Sequence, residues 1–116
     1  MRTVFLVTRH PDLSRFSAEL ERRGFSAPSV EPEQLANDEA GPRADVVVLD
    51  LRDIPPAAFN ILSATYAEEN VVLIAVVPPG GLDRITADLA IDDFVMLDCS
   101  PDELVRRIER ALWSKH

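Results

Sequence analysis

Runs of apolar residues alternate along this chain with stretches in which apolar positions recur at helical spacing. Residues 3–8 (TVFLVT), 45–50 (DVVVLD) and 71–77 (VVLIAVV) are nearly continuous apolar segments. Such runs lack the period-two polar alternation of a half-exposed strand, so they suit strands covered on both faces of a parallel sheet. Residues 94–97 (FVML) form a shorter fourth run. A weaker strand is expected over residues 25–30, where Pro28 confines it to a sheet edge.

Between the strands, Leu13, Phe16 and Leu20 mark one helix, and Gly24 is placed to end it. Ser100-Pro101-Asp102-Glu103 reads as a helix start, with a capping serine, proline in the first turn and a glutamate suited to a capping box. Leu104, Ile108 and Leu112 then form its apolar stripe. Residues 55–69 and 82–90 are two further helix candidates, and the short acidic segment 31–40 is a poorer one. The order predicts an α/β fold, a doubly wound five-stranded parallel sheet of (βα)5 type with right-handed crossovers. In such sheets ligands and chemistry gather at the carboxyl ends of the strands. The residues of interest are therefore Thr8-Arg9-His10, Asp50-Leu51-Arg52-Asp53, Val76-Val77-Pro78 and Leu97-Asp98.

Composition narrows the possibilities. The 116 residues suit one domain, 1–116, with a core that needs no staples. The formal net charge of −8 has the wrong sign for gripping phosphate backbones. Arg22-Arg23 and Arg106-Arg107 are both flanked by glutamates and read as solvated helix faces. Cys99 is the only cysteine, so no intrachain disulfide is possible and a reducing cytoplasm fits. No apolar run approaches the roughly 20 residues that span a bilayer, and no signal-peptide layout is present. His10 and His116 have no partners at ligand spacing, so neither a metal nor a cofactor is expected. Pro78-Pro79-Gly80-Gly81 lacks the lysine and serine of a phosphate loop and reads as a tight turn into the fourth helix.

Taken in order, residues 4–13 (VFLVTRHPDL), 46–55 (VVVLDLRDIP) and 91–104 (IDDFVMLDCSPDEL) resemble the receiver domains of bacterial response regulators (the CheY-like branch of the flavodoxin-like folds), and the last segment resembles their OmpR/PhoB class. The resemblance implies that Asp50 stands at the phospho-acceptor position. It also implies an acidic pair at the end of the first strand, a lysine at the end of the fifth and a hydroxyl residue near the end of the fourth. Here those positions hold Thr8 and Arg9, Leu97, and Val76 or Val77. A guanidinium cannot replace a carboxylate as a magnesium ligand. Phosphoryl transfer leans on metal and cationic groups that stabilise transition-state charge, and of that set only Asp50 is left.

A lone carboxylate needs no cation between partners, and Arg9 or Arg52 could supply an internal counter-ion while Thr8 donates a hydrogen bond. The expectation is a built-in polar network of Thr8, Arg9, Asp50 and Arg52 in place of the metal site. The plainer alternative has Asp50 capping a loop and the arginines in water.

Gly80-Gly81-Leu82, Thr86-Ala87-Asp88 and Ile91-Asp92-Asp93 are similar to the orphan nitrogen-metabolism regulators of the GlnR type. That resemblance implies a homodimer formed without phosphorylation, and the OmpR/PhoB resemblance implies pairing through the fourth helix, fifth strand and fifth helix. It implies interface roles for Asp93 and Arg107 as a salt-bridged pair, and for Glu103, Arg84 and Arg110, with Ile85, Leu89 or Val105 supplying apolar area. It also implies a C-terminal winged helix, outside these residues, as the part that touches DNA. The expected function is a phosphorylation-independent, non-enzymatic regulatory domain of a transcription regulator. The alternatives are a magnesium-dependent phospho-acceptor receiver with Asp50 as acceptor, and a flavodoxin-like small-molecule binder or enzyme.

Overall fold

The computed structural model describes residues 2–37 and 44–115. In chain order it contains β1 (Val4–Val7), a 3-10 turn (Pro11–Leu13), α1 (Ser14–Arg22), β2 (Ser29–Val30), α2 (Pro32–Asn37) and β3 (Val46–Asp50). It continues with α3 (Pro56–Glu68), β4 (Val72–Val77), a 3-10 turn (Leu82–Arg84), β5 (Asp93–Met96) and α4 (Pro101–Lys115). The part of the expected 31–40 helix beyond α2 lies outside the described residues, as does His116.

The five strands pair in the order β2-β1-β3-β4-β5, all parallel. Side chains of successive strand residues point to opposite faces, and each face of this sheet carries its own core. Val4, Leu6, Val46, Val48, Val72, Ile74, Val76 and Val95 pack beneath Leu13, Phe16 and Leu20 from the α1 side and Leu104, Val105, Ile108 and Leu112 of α4. Phe5, Val7, Val47, Leu49, Leu73, Ala75 and Val77 face the other way, toward Leu51, Ile54 and Phe59. Two buried faces explain why these strands read as unbroken apolar runs. Pro28 and the two-residue β2 lie at the edge, where a missing N–H costs no ladder bond inside the sheet.

The helix ends follow local chemistry. Gly24 adopts φ +93°, a left-handed conformation that closes α1. The N–H of Glu103 donates to Ser100 Oγ at 3.2 Å, and Pro101 opens α4. The Glu103 side chain does not complete the box; it pairs with Arg107 one turn on. α1 and α4 are tied at their ends by Arg23 and Asp102, 2.5 Å apart.

One expected element is absent. Residues 82–90 do not form an α-helix: after the 3-10 turn, Ile85 is extended (φ −93°, ψ 103°). Thr86 Oγ1 lies 2.5 Å from Asp88 Oδ1 and the Leu89 N–H bonds the Thr86 carbonyl, so side chain and backbone close a local turn instead. Ile85 and Leu89, with Ile91 beyond them, pack from an irregular segment against the core that contains Leu51, Ile54 and Phe59, while Leu82 stays exposed.

Candidate functional site

Strand order reverses direction between β1 and β3, so the crevice beyond their carboxyl ends is the topological switch point. Val7 is in register with Leu49, which brings the next residues, Thr8 and Asp50, level with one another. Both are buried polar groups, and Asp50 is 0% exposed. A carboxylate so placed must have partners, and it does. Thr8 Oγ1 donates to Asp50 Oδ2 at 2.7 Å. The Arg52 backbone N–H and Nε each lie 3.0 Å from Oδ1, and Nη2 lies 2.8 Å from Oδ2. The guanidinium turns its other edge to Asp12, with Nη1 and Nη2 at 2.9 and 2.8 Å from that carboxylate. Arg52 thus bridges one buried and one exposed carboxylate, a fork geometry that lysine cannot reproduce.

The hydrogen bonds to Asp12, then to Asp50, hold the Arg52 guanidinium charged at all working pH. The bond from Arg52 in turn lowers the Asp12 carboxyl below its ordinary value of 3.8. A depressed carboxyl contributes stability above its unfolded value and loses it as the pH falls through the folded one. Asp12→Asn is therefore expected to lower stability at pH 7 by no more than about 1 kcal/mol, Asp12 being half exposed. The difference from wild type should close below about pH 4 in urea titrations repeated across the acid range.

Arg9 does not join Asp50. Its guanidinium pairs with Glu33 of α2, while its backbone N–H donates to Asp53 Oδ2 at 2.7 Å. Asp53 also receives His10, whose Nε2 is 3.1 Å from Oδ1. The expected alternative between Arg9 and Arg52 is thus resolved in geometry: Arg52 sits on Asp50 and Arg9 ties β1 to α2.

Sequence reasoning marked Asp53 as a strand-end residue without giving it a role, and missed Asp12 and Arg15. Asp12 and Asp53 are short acids at strand-end turns, and the only signal was their closeness to Thr8 and Arg52 in the chain. Arg15 gave none. Its guanidinium donates to the carbonyls of Leu97 and Cys99 (2.8 Å to the latter) and lies 4.1 Å above the Phe16 ring. It holds the β5–α4 loop from α1. At Cys99, burial pushes the thiol pKa up, away from the thiolate that reacts.

The residues do not fit the magnesium ion that the receiver resemblance implies. His10, Asp50 and Asp53 do offer one ligand atom each within 4.8 Å of one another. Both Asp50 oxygens are engaged by Arg52, however, and a cation there would have to displace a guanidinium. Magnesium also prefers near-octahedral oxygen ligation, which this set does not supply.

The residues expected at a dimer interface fall into two groups. Asp93, Glu103 and Arg107 cluster on β5 and α4, where Arg107 bonds Asp93 at 3.1 Å and Glu103 at 3.2 Å within one chain. Arg110 lines a shallow depression beside them with Asp92, Asp93, Ser114 and Lys115. Arg84 points elsewhere, into the loop after β3. Val105 is fully buried against the sheet and offers no apolar area to a partner, contrary to expectation. The helix expected to flank this face is the irregular segment 82–90. Trp113, on the same helix α4, is 85% exposed.

Among the described residues, no helix is long and apolar enough to cross a membrane. Solved structures share the architecture. A signal receiver domain of a histidine kinase from Syntrophus aciditrophicus superposes with a TM-score of 0.79 at 17% identity, covering 98% of this chain and 92% of that one. The receiver domain of the TMAO respiratory system response regulator TorR gives a TM-score of 0.77 at 20% identity, with both chains fully covered. NtrX from Brucella abortus gives 0.77 at 17% identity over 99% of this chain and 28% of that one. These likenesses establish a receiver fold. No curated protein sequence matches the chain. Residues 3–112 match the family described as the N-terminal domain of the transcription regulator GlnR, and the chain belongs to that family.

Proposed function

We propose that this domain is a phosphorylation-independent regulatory and homodimerisation module of a cytoplasmic, DNA-binding transcription regulator of the OmpR/PhoB class, concerned with nitrogen metabolism. The observation that carries this reading is the Arg52 guanidinium seated on both oxygens of a fully buried Asp50. To accept a phosphoryl group, an Asp50 oxygen would have to attack phosphorus in line while cations gathered the equatorial charge. Here Arg52 and Thr8 already hold that oxygen. The network supplies internally what a metal and a phosphoryl group supply elsewhere, a fixed arrangement of the strand-end loops. The domain is thereby kept in one state and performs no catalysis.

The net charge of −8 argues against DNA contact by these residues, and the OmpR/PhoB resemblance supports giving that contact to a C-terminal winged helix. Pairing through β5, α4 and the segment before β5 would use Asp93, Glu103, Arg107 and Arg110. Because Arg107 is already satisfied within its own chain, exchanging its partners for those of a second copy changes energy little and sets register more than affinity.

Sedimentation over a dilution series, with and without magnesium and beryllofluoride, tests this function. The expected result is a dimer whose dissociation constant neither reagent shifts. A monomer driven to dimer by them would overturn the reading and make Asp50 a phospho-acceptor.

A further inference from the structure

Arg84 was expected to reach a partner copy, and it reaches inward. Nη1 donates to the Leu51 carbonyl and Nη2 to the Ile54 carbonyl, each at 2.7 Å, and the guanidinium carbon lies 6.0 Å from the centre of the Phe59 ring. Leu51 and Ile54 bracket Arg52 and Asp53, the two residues of the β3–α3 loop that hold the Asp50 site together. One guanidinium therefore grips both ends of the loop whose middle carries the network.

The other end of this connection is the segment 82–91. The turn Pro78–Gly81, closed by the Gly81 N–H on the Pro78 carbonyl at 2.9 Å, aims the 3-10 turn that carries Arg84 toward β3. A β-carbon at Gly81 would come within 3.1 Å of three Pro78 atoms, so the turn is tightly closed. From Arg84 the chain runs without an α-helix to Ile85, Leu89 and Ile91, which pack on the sheet beside β5. An irregular segment has few internal hydrogen bonds to fix its position, so tertiary anchors decide it. Among the described residues of 82–91, Arg84 is the side chain that hydrogen-bonds across to the β3–α3 loop, while Ile85, Leu89 and Ile91 add apolar packing on that side.

From this geometry we infer that Arg84 is a positioning residue through which an intact Asp50 network fixes the segment 82–91, by way of the Leu51 and Ile54 carbonyls. The hydroxyl position on β4 is Val76 or Val77 here and has no polar group with which to sense Asp50. The inference rests on Asp50 and Arg52 forming a structural network, and it does not require the domain to dimerise. Arginine is needed for its shape: two parallel-facing N–H groups span two carbonyls, whereas lysine keeps the charge and reaches one.

Amide hydrogen exchange on the intact domain, read residue by residue, tests this in four proteins: wild type, Asp50→Asn, Arg84→Lys and the double variant. In the wild-type background, Asp50→Asn is expected to speed exchange at Leu51 and Asp53 and, through Arg84, at Ile85 and Leu89 by about tenfold. In the Arg84→Lys background the same change should still speed Leu51 and Asp53 but move Ile85 and Leu89 by less than about twofold. A merely structural arginine would raise exchange at Ile85 equally whether or not Asp50 is intact, and that additive result would overturn the coupling. Additivity of that kind is equal transmission from Asp50→Asn in both backgrounds, and it would place the connection in the sheet. If Asp50→Asn leaves Leu51 and Asp53 unmoved, the network itself fails and the coupling with it. Retention of the charge in Arg84→Lys keeps the fold testable, and unchanged exchange at the β4 core amides checks that it has been retained.

Discussion

Arg52→Met is expected to lower folding stability by about 3–5 kcal/mol, because removing one member of a buried ion pair leaves the other without compensation. Asp50 is the member left behind, fully enclosed at the end of a central strand, with Thr8 and one backbone N–H as its remaining donors. Arg52 is 21% exposed, so water can partly enter its place and the loss should fall toward the lower end of that range. Asp50→Ala should cost less, about 1–3 kcal/mol, since Arg52 keeps its fork on the half-exposed Asp12 and stays solvated. The double variant should be more stable than the sum of the singles implies, with a coupling energy of about 0.5–3 kcal/mol. Urea unfolding followed by far-ultraviolet dichroism measures all four corners of the cycle. An Arg52→Met protein within about 0.5 kcal/mol of wild type would show that the bridge contributes nothing to the fold.

Phe16→Ala should be as damaging, at about 3–5 kcal/mol, for a different reason. Phe16 is fully buried in the layer where α1 and α4 cover one face of the sheet, among Leu20, Leu104 and Ile108. Truncation leaves a cavity whose walls come from a central sheet and a 15-residue helix, and such walls relax little. The change also removes the ring beneath Arg15, and with it support for the bonds that hold the β5–α4 loop. Against a typical domain stability of about 5–15 kcal/mol this is a large share, and the midpoint of urea unfolding should drop accordingly. Dichroism is the right probe, because Trp113 is exposed and its fluorescence would change little on unfolding. A loss below about 1 kcal/mol would mean that the helical layer collapses around the gap.

The strands and the two-sided burial were legible because a doubly covered parallel sheet leaves its mark in consecutive residues: VFLV, VVVLD and VLIAVV need no distant partner to be recognised. Asp50 was legible for a related reason, as an acid ending such a run at a position where this architecture places chemistry. The identity of its partners was not. Arg9 and Arg52 are equivalent in composition and in closeness to a strand end, and the sequence offers no way to choose between them. The choice depends on α2, whose Glu33 takes the Arg9 guanidinium, and on Asp12, which gives Arg52 a second carboxylate to bridge. Both contacts join residues 24–40 positions apart, and no local pattern encodes them.

The segment 82–90 marks the boundary most clearly. Its apolar residues at 82, 85 and 89 have helical spacing, yet the same spacing is met by an irregular chain that packs Ile85 and Leu89 on the sheet while Arg84 stretches toward β3. Periodicity reports which side chains are buried, not the backbone that buries them. The sequence by itself determined the parallel α/β architecture and the burial of both sheet faces, since each depends on residue type and neighbours in the chain, and set beside the receiver resemblance it showed Thr8 and Arg9 where an acidic pair is implied. Only the tertiary structure decided which arginine neutralises Asp50, that Arg84 turns inward and that Arg107 is paired within its own chain. Those outcomes turn on distances between strand-end loops, and the packing of the sheet sets them.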